Sequence, residues 1–283
     1  MKFFDLHCDT PYKCYKEDLS FDNQGLAVSL NGIFTFDKWY QCFAVWINEE
    51  VENPFSYYKN VLNNFKSQLN FDFDNLVPLY TVEGGTLLEN NLERINELKN
   101  DGIRALTLTW NGENQIASGV NAVGGLKPFG NQVIKSLNDS KIATDLSHLN
   151  RESFFDSIEI AKYPIATHSC CDAVFSHKRN LSDEQIRLIA QKGGIIGVCL
   201  YPEFLGNGDV FFDVYKHIEH LLDMGLEKHI SVGSDFDGAD MDKRLSKITD
   251  IPSLYKKLNQ FGIDYKTLNN IFFENAYNFF FYL

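Results

Sequence analysis

The chain has 283 residues, 44% of them hydrophobic, and a formal net charge of −12. That length is ordinary for one α/β barrel and the apolar share is ample for a large core, so a single domain over 1–283 is expected. The acidic balance, with no tract of clustered Lys and Arg, argues against a protein that gathers phosphate backbones, and nucleic acid is not an expected partner.

Met1 is followed by one basic residue and a short apolar run already broken by Asp5, which makes no signal-peptide core. The longest uncharged runs, such as GGIIGVCLYP, are too short to span a bilayer. A cytoplasmic protein without a membrane partner is expected. Six cysteines (Cys8, Cys14, Cys42, Cys170, Cys171, Cys199) lack CxxC spacing and read as reduced thiols. The vicinal pair Cys170-Cys171 reads as small apolar filler.

In chain order, eight β-rich runs stand out: FFDLHCD, CFAVWI, LVPLYTVEG, RALTLTW, IATDLSH, PIATHS, GIIGVCLY and HISVGSDFDG. Helical patterns lie between them, among them 91–102, 132–140, 182–194 and 215–225, several ending in Gly. Leu88, Leu92, Ile95 and Leu98 recur at helical spacing, with Glu93 and Glu97 on the other side. Eight repeats of strand and helix with mostly continuous apolar strands favour a TIM-type (β/α)8 barrel over an open doubly wound sheet. Residues 23–40 fit this scheme least and read as an excursion beside the first helix.

Most ionisable residues in the apolar runs lie at the C-terminal end of the strand, with Asp5, Arg104 and Asp145 as exceptions. His7 and Asp9 close the first run, Glu83 the third, His148 the fifth, His168 the sixth and Asp235 the eighth. His7 and Asp9, two apart, point to one side while Cys8 points to the other. In a parallel barrel all these ends face one mouth, where active sites are built. Taken singly, a strand-end histidine is an ordinary hydrogen-bonded residue and an aspartate there an ordinary helix N-cap. Together, polar groups from four strands in an apolar interior need something to pair them, and a divalent cation does so.

Three imidazoles and two carboxylates suit zinc and exceed what one open tetrahedral site needs, so two ions are expected. Glu83 bridges in this reading, with His7 and Asp9 on one ion and His148 and His168 on the other, and a bridging hydroxide is the nucleophile. Asp235 is left as the proton carrier. Asp237, two residues later, competes for that role, although Asp237-Gly238 reads as a turn. Arg179 lies in a loop before a helix whose Ser182 and Gln185 form a capping-box signature. Such an arginine can fork onto a substrate carboxylate or simply be solvated. His177, His217, His220 and His229 look peripheral.

The motifs DLHCDT, TVEGG, LTLTWN, GLKPFG, DLSHLN, THS, RNLSDEQI and GSDFDG, in this order along nearly the whole chain, resemble the membrane dipeptidase (renal dipeptidase) family of the amidohydrolase superfamily. The resemblance implies a barrel that cleaves dipeptides with two zinc ions. By position it matches His7 and Asp9 to the first metal, Glu83 to the bridge, His148 and His168 to the second metal, and Asp235 to the acid/base. It matches Arg179 to the arginine that holds the substrate's terminal carboxylate, and Tyr201 to an aromatic lining the pocket. Some members carry a histidine near the end of the fourth strand that polarises the scissile carbonyl, and here Trp110 stands there, able to donate one hydrogen bond but not to carry charge. The THSCCDA segment also departs from the usual polar continuation. Two other readings stay open: a metal-dependent amidohydrolase for another carboxylate-bearing amide or lactam, and a non-catalytic metal-binding relative. The apolar tail NIFFENAYNFFFYL reads first as closure of the barrel base and second as the surface of a homodimer.

Overall fold

The computed structural model describes residues 1–69 and 74–283. Eight parallel strands close on themselves in chain order: β1 (Lys2–Cys8), β2 (Lys38–Trp46), β3 (Leu76–Glu83), β4 (Ile103–Thr107), β5 (Ala143–Asp145), β6 (Pro164–Ser169), β7 (Ile195–Cys199) and β8 (Ile230–Gly233), with β8 pairing back onto β1. Each of the eight apolar runs is a strand, and the ring with its intervening helices is the expected (β/α)8 barrel.

Helix ends differ from the sequence pattern where caps decide them. The pattern at 91–102 narrows to Glu93–Asn100, and that at 182–194 to Asp183–Gln191, which starts at the expected Ser182/Gln185 capping box. The other two start earlier than periodicity suggests. Pro128 opens Pro128–Ser140, since a first-turn residue needs no backbone N–H, and Asp209 opens Val210–Asp223 by accepting from the Phe211 and Phe212 N–H groups. Residues 23–40 hold a short helix, Leu30–Phe34, and the first residues of β2, which begins earlier than the CFAVWI run.

Two apolar layers hold the barrel. Phe3, Cys8, Val45, Val82 and Ile196 pack outward against the helices. Phe4, Leu6, Leu79, Ile165 and Ile195 pack inward with Phe273, Ala276 and Phe280 of the C-terminal helices. The Phe280 ring stacks on Phe4 at 5.5 Å, and Arg104 donates to the Phe280 carbonyl, so the apolar tail closes the base of the barrel. Arg104, one of the mid-strand exceptions, thus serves the base. Among the described residues no helix is long and apolar enough to cross a membrane.

Simple alternation does not bring both His7 and His168 inward. Between Asp5 and Cys8, β1 advances three residues while β2 advances two, from Gln41 to Phe43. Between Ala166 and Ser169, β6 likewise advances three while β7 advances two, from Ile196 to Val198. Each extra residue is a β-bulge that flips the side-chain parity, so Leu6 and His7 both face in, and so does His168. The second bulge pushes the Thr167 carbonyl toward β8, where only a glycine fits: a Cβ on Gly233 would lie 1.7 Å from that oxygen.

Candidate metal centre

The mouth gathers the sequence-expected residues within one cluster. Glu83 ends β3 by ordinary alternation, and its two oxygens face different partners. Oε1 lies 2.7 Å from His148 Nε2 and 3.6 Å from His168 Nε2, while Oε2 lies 3.4 Å from His7 Nε2. His7 Nε2 is 3.4 Å from Asp9 Oδ2 and 3.8 Å from Asp235 Oδ1. Three overlapping sets of donor atoms result: His7 with Asp9 and Glu83, Glu83 with His148 and His168, and His7 with His168 and Asp235. Asp9 stands at the N-cap of the helix Thr10–Glu17, yet its side chain caps nothing and turns to His7. A Cβ on Gly238 would lie 2.1 Å from Asp9 Oδ2, so this glycine lets the carboxylate sit there.

The donors fit a cation better than they fit one another. Among the described residues, His7 Nε2 and Asp9 Oδ1 are buried without a hydrogen-bond partner. His148 and His168 bring their Nε2 atoms to 2.8 Å of each other, while the His148 Nδ1 faces Asn111 Oδ1 at 2.9 Å. If Nδ1–H of His148 donates to that oxygen, its Nε2 carries a lone pair aimed into the cluster. Burial pushes the Glu83 carboxyl up to about 8 and the Asp235 carboxyl up to about 7, with the charge of Asp9 adding to both. Burial also drives His148 and His168 well below the ordinary histidine range, aided by the charges of Arg179 and His7. His7 moves the other way: burial opposes its charge, but Glu83 and Asp9 outweigh it. Groups so displaced are those a bound dication steadies, favouring carboxylates ionised and imidazoles neutral.

His148, Asp235 and Asp237 all adopt left-handed backbone, at φ 70, 62 and 64°. Non-glycine residues in this region cost about 1–3 kcal/mol each and cluster at functional sites. The two aspartates part company here. Asp237 accepts from Thr10 Oγ1 (2.7 Å), Lys13 Nζ (3.0 Å), Ala27 N (2.8 Å) and Val28 N (3.2 Å), and so ties the excursion after the first helix to the mouth. Asp235 lines the cavity, and among the described residues its Oδ2 has only the Cys199 thiol against it, at 3.9 Å. Asp5, the first mid-strand acid, is likewise saturated, by Ser234 N, Ser234 Oγ, Gln41 Nε2 and His7 N.

Above the cluster lies a cavity of about 730 Å³ reached by Asp9, Glu83, His148 and Asp235. One wall carries Trp46 and Trp110, whose rings meet edge to face at 5.1 Å, and another carries Tyr201 and Phe204. Trp110 lies three residues past the end of β4, and Tyr201 is the N-cap of the short helix Pro202–Leu205, two residues past β7. Arg179 is buried, not solvated. It sits just behind that second wall, its guanidinium 5.2 Å from the Phe204 ring centre, with one donor on the His168 carbonyl at 3.2 Å and its Nε unpartnered. Sequence reading missed Asn111, although it follows Trp110 directly in LTWN, and missed Phe204, which no motif marks.

The family model for membrane dipeptidase, peptidase family M19, matches residues 62–280. An uncharacterized protein in the pqqA 5′ region of Klebsiella pneumoniae is 33% identical over 189 residues, covering 62% of this chain and 70% of that one. An uncharacterized dipeptidase of Schizosaccharomyces pombe is 27% identical over 227 residues, 76% of this chain, and the match spans 56% of that protein's length. Among solved structures, dipeptidase AC, a metallopeptidase of family M19, superposes with a TM-score of 0.89 at 22% identity, covering 99% of this chain and 98% of that one. A metallopeptidase of Rhodobacter sphaeroides bound to a phosphinate mimic of the dipeptide L-Ala-D-Ala gives 0.85 at 20% identity, with the same coverage. The structural likenesses speak for the fold, and the family match, over more than three quarters of the chain, speaks for descent. The chain belongs to the membrane dipeptidase family of metallopeptidases, peptidase family M19.

Proposed function

We propose that the whole chain, 1–283, is one hydrolase domain that cleaves dipeptides, among them those with a D residue at the second position, using two zinc ions. The observation that carries this reading is the placement of Glu83: one carboxylate oxygen turned to His148 and His168, the other to His7. His7 and Asp9 would hold one ion, His148 and His168 the other, with Glu83 shared. Such a pair, when bound, supplies Lewis acidity toward the scissile carbonyl and an activated water near neutral pH.

The chain's own residues do the rest. Asp235, free of saturating donors and open to the cavity, takes the proton from the attacking water and passes it to the leaving amine. Arg179, just behind the Phe204 wall with a buried Nε that has no partner among the described residues, forks onto the terminal carboxylate of the substrate. Trp110 and Tyr201 flank the bound dipeptide from opposite walls, and the Trp110 indole N–H is a donor near the scissile carbonyl. The same site requires no nucleic acid or membrane. We place the protein in the cytoplasm, and a homodimer would leave the mouth free because the tail closes the base. The test is turnover by zinc-loaded protein across a dipeptide panel that includes L-Ala-D-Ala. Hydrolysis of free dipeptides but not of their C-terminal amides supports this reading. Inertness toward every dipeptide with zinc bound overturns it.

A further inference from the structure

Asp145 ends β5, the third mid-strand exception in the sequence, and it is buried together with Thr107, Thr167 and His168. Its two oxygens are divided between two kinds of donor. Oδ1 accepts from the backbone N–H groups of Ser147 (3.0 Å) and Thr167 (3.1 Å). Oδ2 accepts from the hydroxyls of Thr107 (2.6 Å) and Thr167 (2.7 Å). Thr167 Oγ1 in turn lies 2.8 Å from His168 Nδ1, its other hydroxyl neighbour, Ser147 Oγ, being 3.5 Å away.

A threonine hydroxyl has one hydrogen. Spent on the acceptor-only carboxylate, it leaves the oxygen facing His168 as an acceptor, so the imidazole must carry its proton on Nδ1. That leaves a lone pair on Nε2, the atom pointing at Glu83 and at His148. We propose that Asp145 is a positioning residue that sets, through the Thr167 hydroxyl, the tautomer of His168 in which Nε2 is able to bind a metal. The proposal rests on the reading of His168 as a metal ligand. Asp5 has the same number of donors, two backbone N–H groups and the side chains of Ser234 and Gln41, but none of them passes a hydrogen bond on to an imidazole.

The chain of bonds has a polarity that one atom reverses. In Asp145→Asn the amide oxygen must stay on the two backbone N–H groups, which puts the NH2 toward the hydroxyls. Thr167 then accepts from the amide, its hydrogen turns to His168 Nδ1, and the imidazole proton is forced onto Nε2. Histidine ligands held in this way typically lose about 10–100-fold in metal affinity when the partner is changed.

The experiment records nitrogen-15 histidine spectra of the full chain freed of metal, with His168 assigned by its loss in His168→Gln, and measures Zn2+ affinity by chelator competition. Wild type is expected to show Nδ1–H at His168. Asp145→Asn should show Nε2–H and bind the weaker zinc about 10–100-fold less tightly. Thr167→Val should lose the Nδ1–H preference, Thr167→Ser should keep it, and Asp5→Asn should lower stability without moving it. Should Asp145→Asn not fold, the Val and Ser variants decide. An Nε2–H proton in wild type, or variants at 145 and 167 that leave tautomer and affinity unchanged, overturns the proposal. Wild-type protein that binds no zinc sinks the metal reading instead, while the tautomer result still stands or falls by its own spectrum.

Discussion

Glu83 Oε1 lies 2.7 Å from His148 Nε2, and the same carboxylate reaches His7 Nε2 with its other oxygen at 3.4 Å. These two histidines come from β1 and from just beyond β5, on different sides of the barrel. One side chain therefore spans the mouth between donor sets that the sequence separates by 141 positions, 148 minus 7.

Asp235 is grouped both with the cavity and with donors that can hold an ion. Asp235→Asn separates the two roles. As a proton carrier its loss should lower kcat by about 10²–10⁴-fold with zinc content and KM little changed. Metal analysis beside the kinetics reads the difference: a fall in bound zinc would make Asp235 a ligand and not the carrier.

Among the described residues, the buried Arg179 has one hydrogen-bond acceptor, the His168 carbonyl, so its charge awaits a partner. Arg179→Met removes the fork without leaving a large void. KM for free dipeptides should rise about 10–100-fold, the worth of a charge-assisted pair of about 1.5–3 kcal/mol, while slow turnover of a dipeptide amide stays unchanged. Equal losses on both substrates would show that the arginine only supports the wall under Phe204.

His217, which looks peripheral in the sequence, is fully buried and bonded at both nitrogens. Cys171 N–H donates to Nδ1 and Nε2–H donates to the Leu205 carbonyl. Burial pushes it down to about 4. The folded state thus binds fewer protons than the unfolded chain between pH 6.5 and 4, so stability is complete above 6.5 and is lost as pH falls toward 4. The loss is about 3 kcal/mol. Urea melts of metal-free protein at pH 7, 5.5 and 4.5 should show wild type losing most of this increment relative to His217→Gln. Parallel losses in the two proteins would remove His217 from the acid response.

The barrel was legible because parallel strands buried on both faces leave continuous apolar runs, and the candidate site because most ionisable groups in those runs fall at the mouth, with Arg104 at the base and the braced Asp5 and Asp145 as exceptions. Glu83 followed from alternation alone. The inward turn of both His7 and His168 was less secure than it looked, since each depends on a bulge that exists only against a neighbouring strand. In GSDFDG the turn signal of Asp237-Gly238 favours Asp235 as the carrier, but what saturates Asp237 comes from far off in the sequence: Thr10, Lys13 and the loop at Ala27 and Val28, more than two hundred positions away. Arg179 read as a loop residue whose solvation was undecided. Its burial under Phe204 is set by a contact that no local pattern carries. Asp145 stood out as a charge in mid-strand, but its partners lie on β4, β6 and the turn after β5, which sequence order does not join.

We propose that a shared Glu83 seats two cations, and a count of bound metal decides it. Zinc-loaded wild type, freed of loose metal, should hold two zinc ions per chain by mass spectrometry under native conditions. Glu83→Gln, with one oxygen replaced by an NH2, should hold at most one and lose dipeptide turnover. A wild-type chain that binds a single ion, or a Glu83→Gln chain that keeps the wild-type complement, would contradict it.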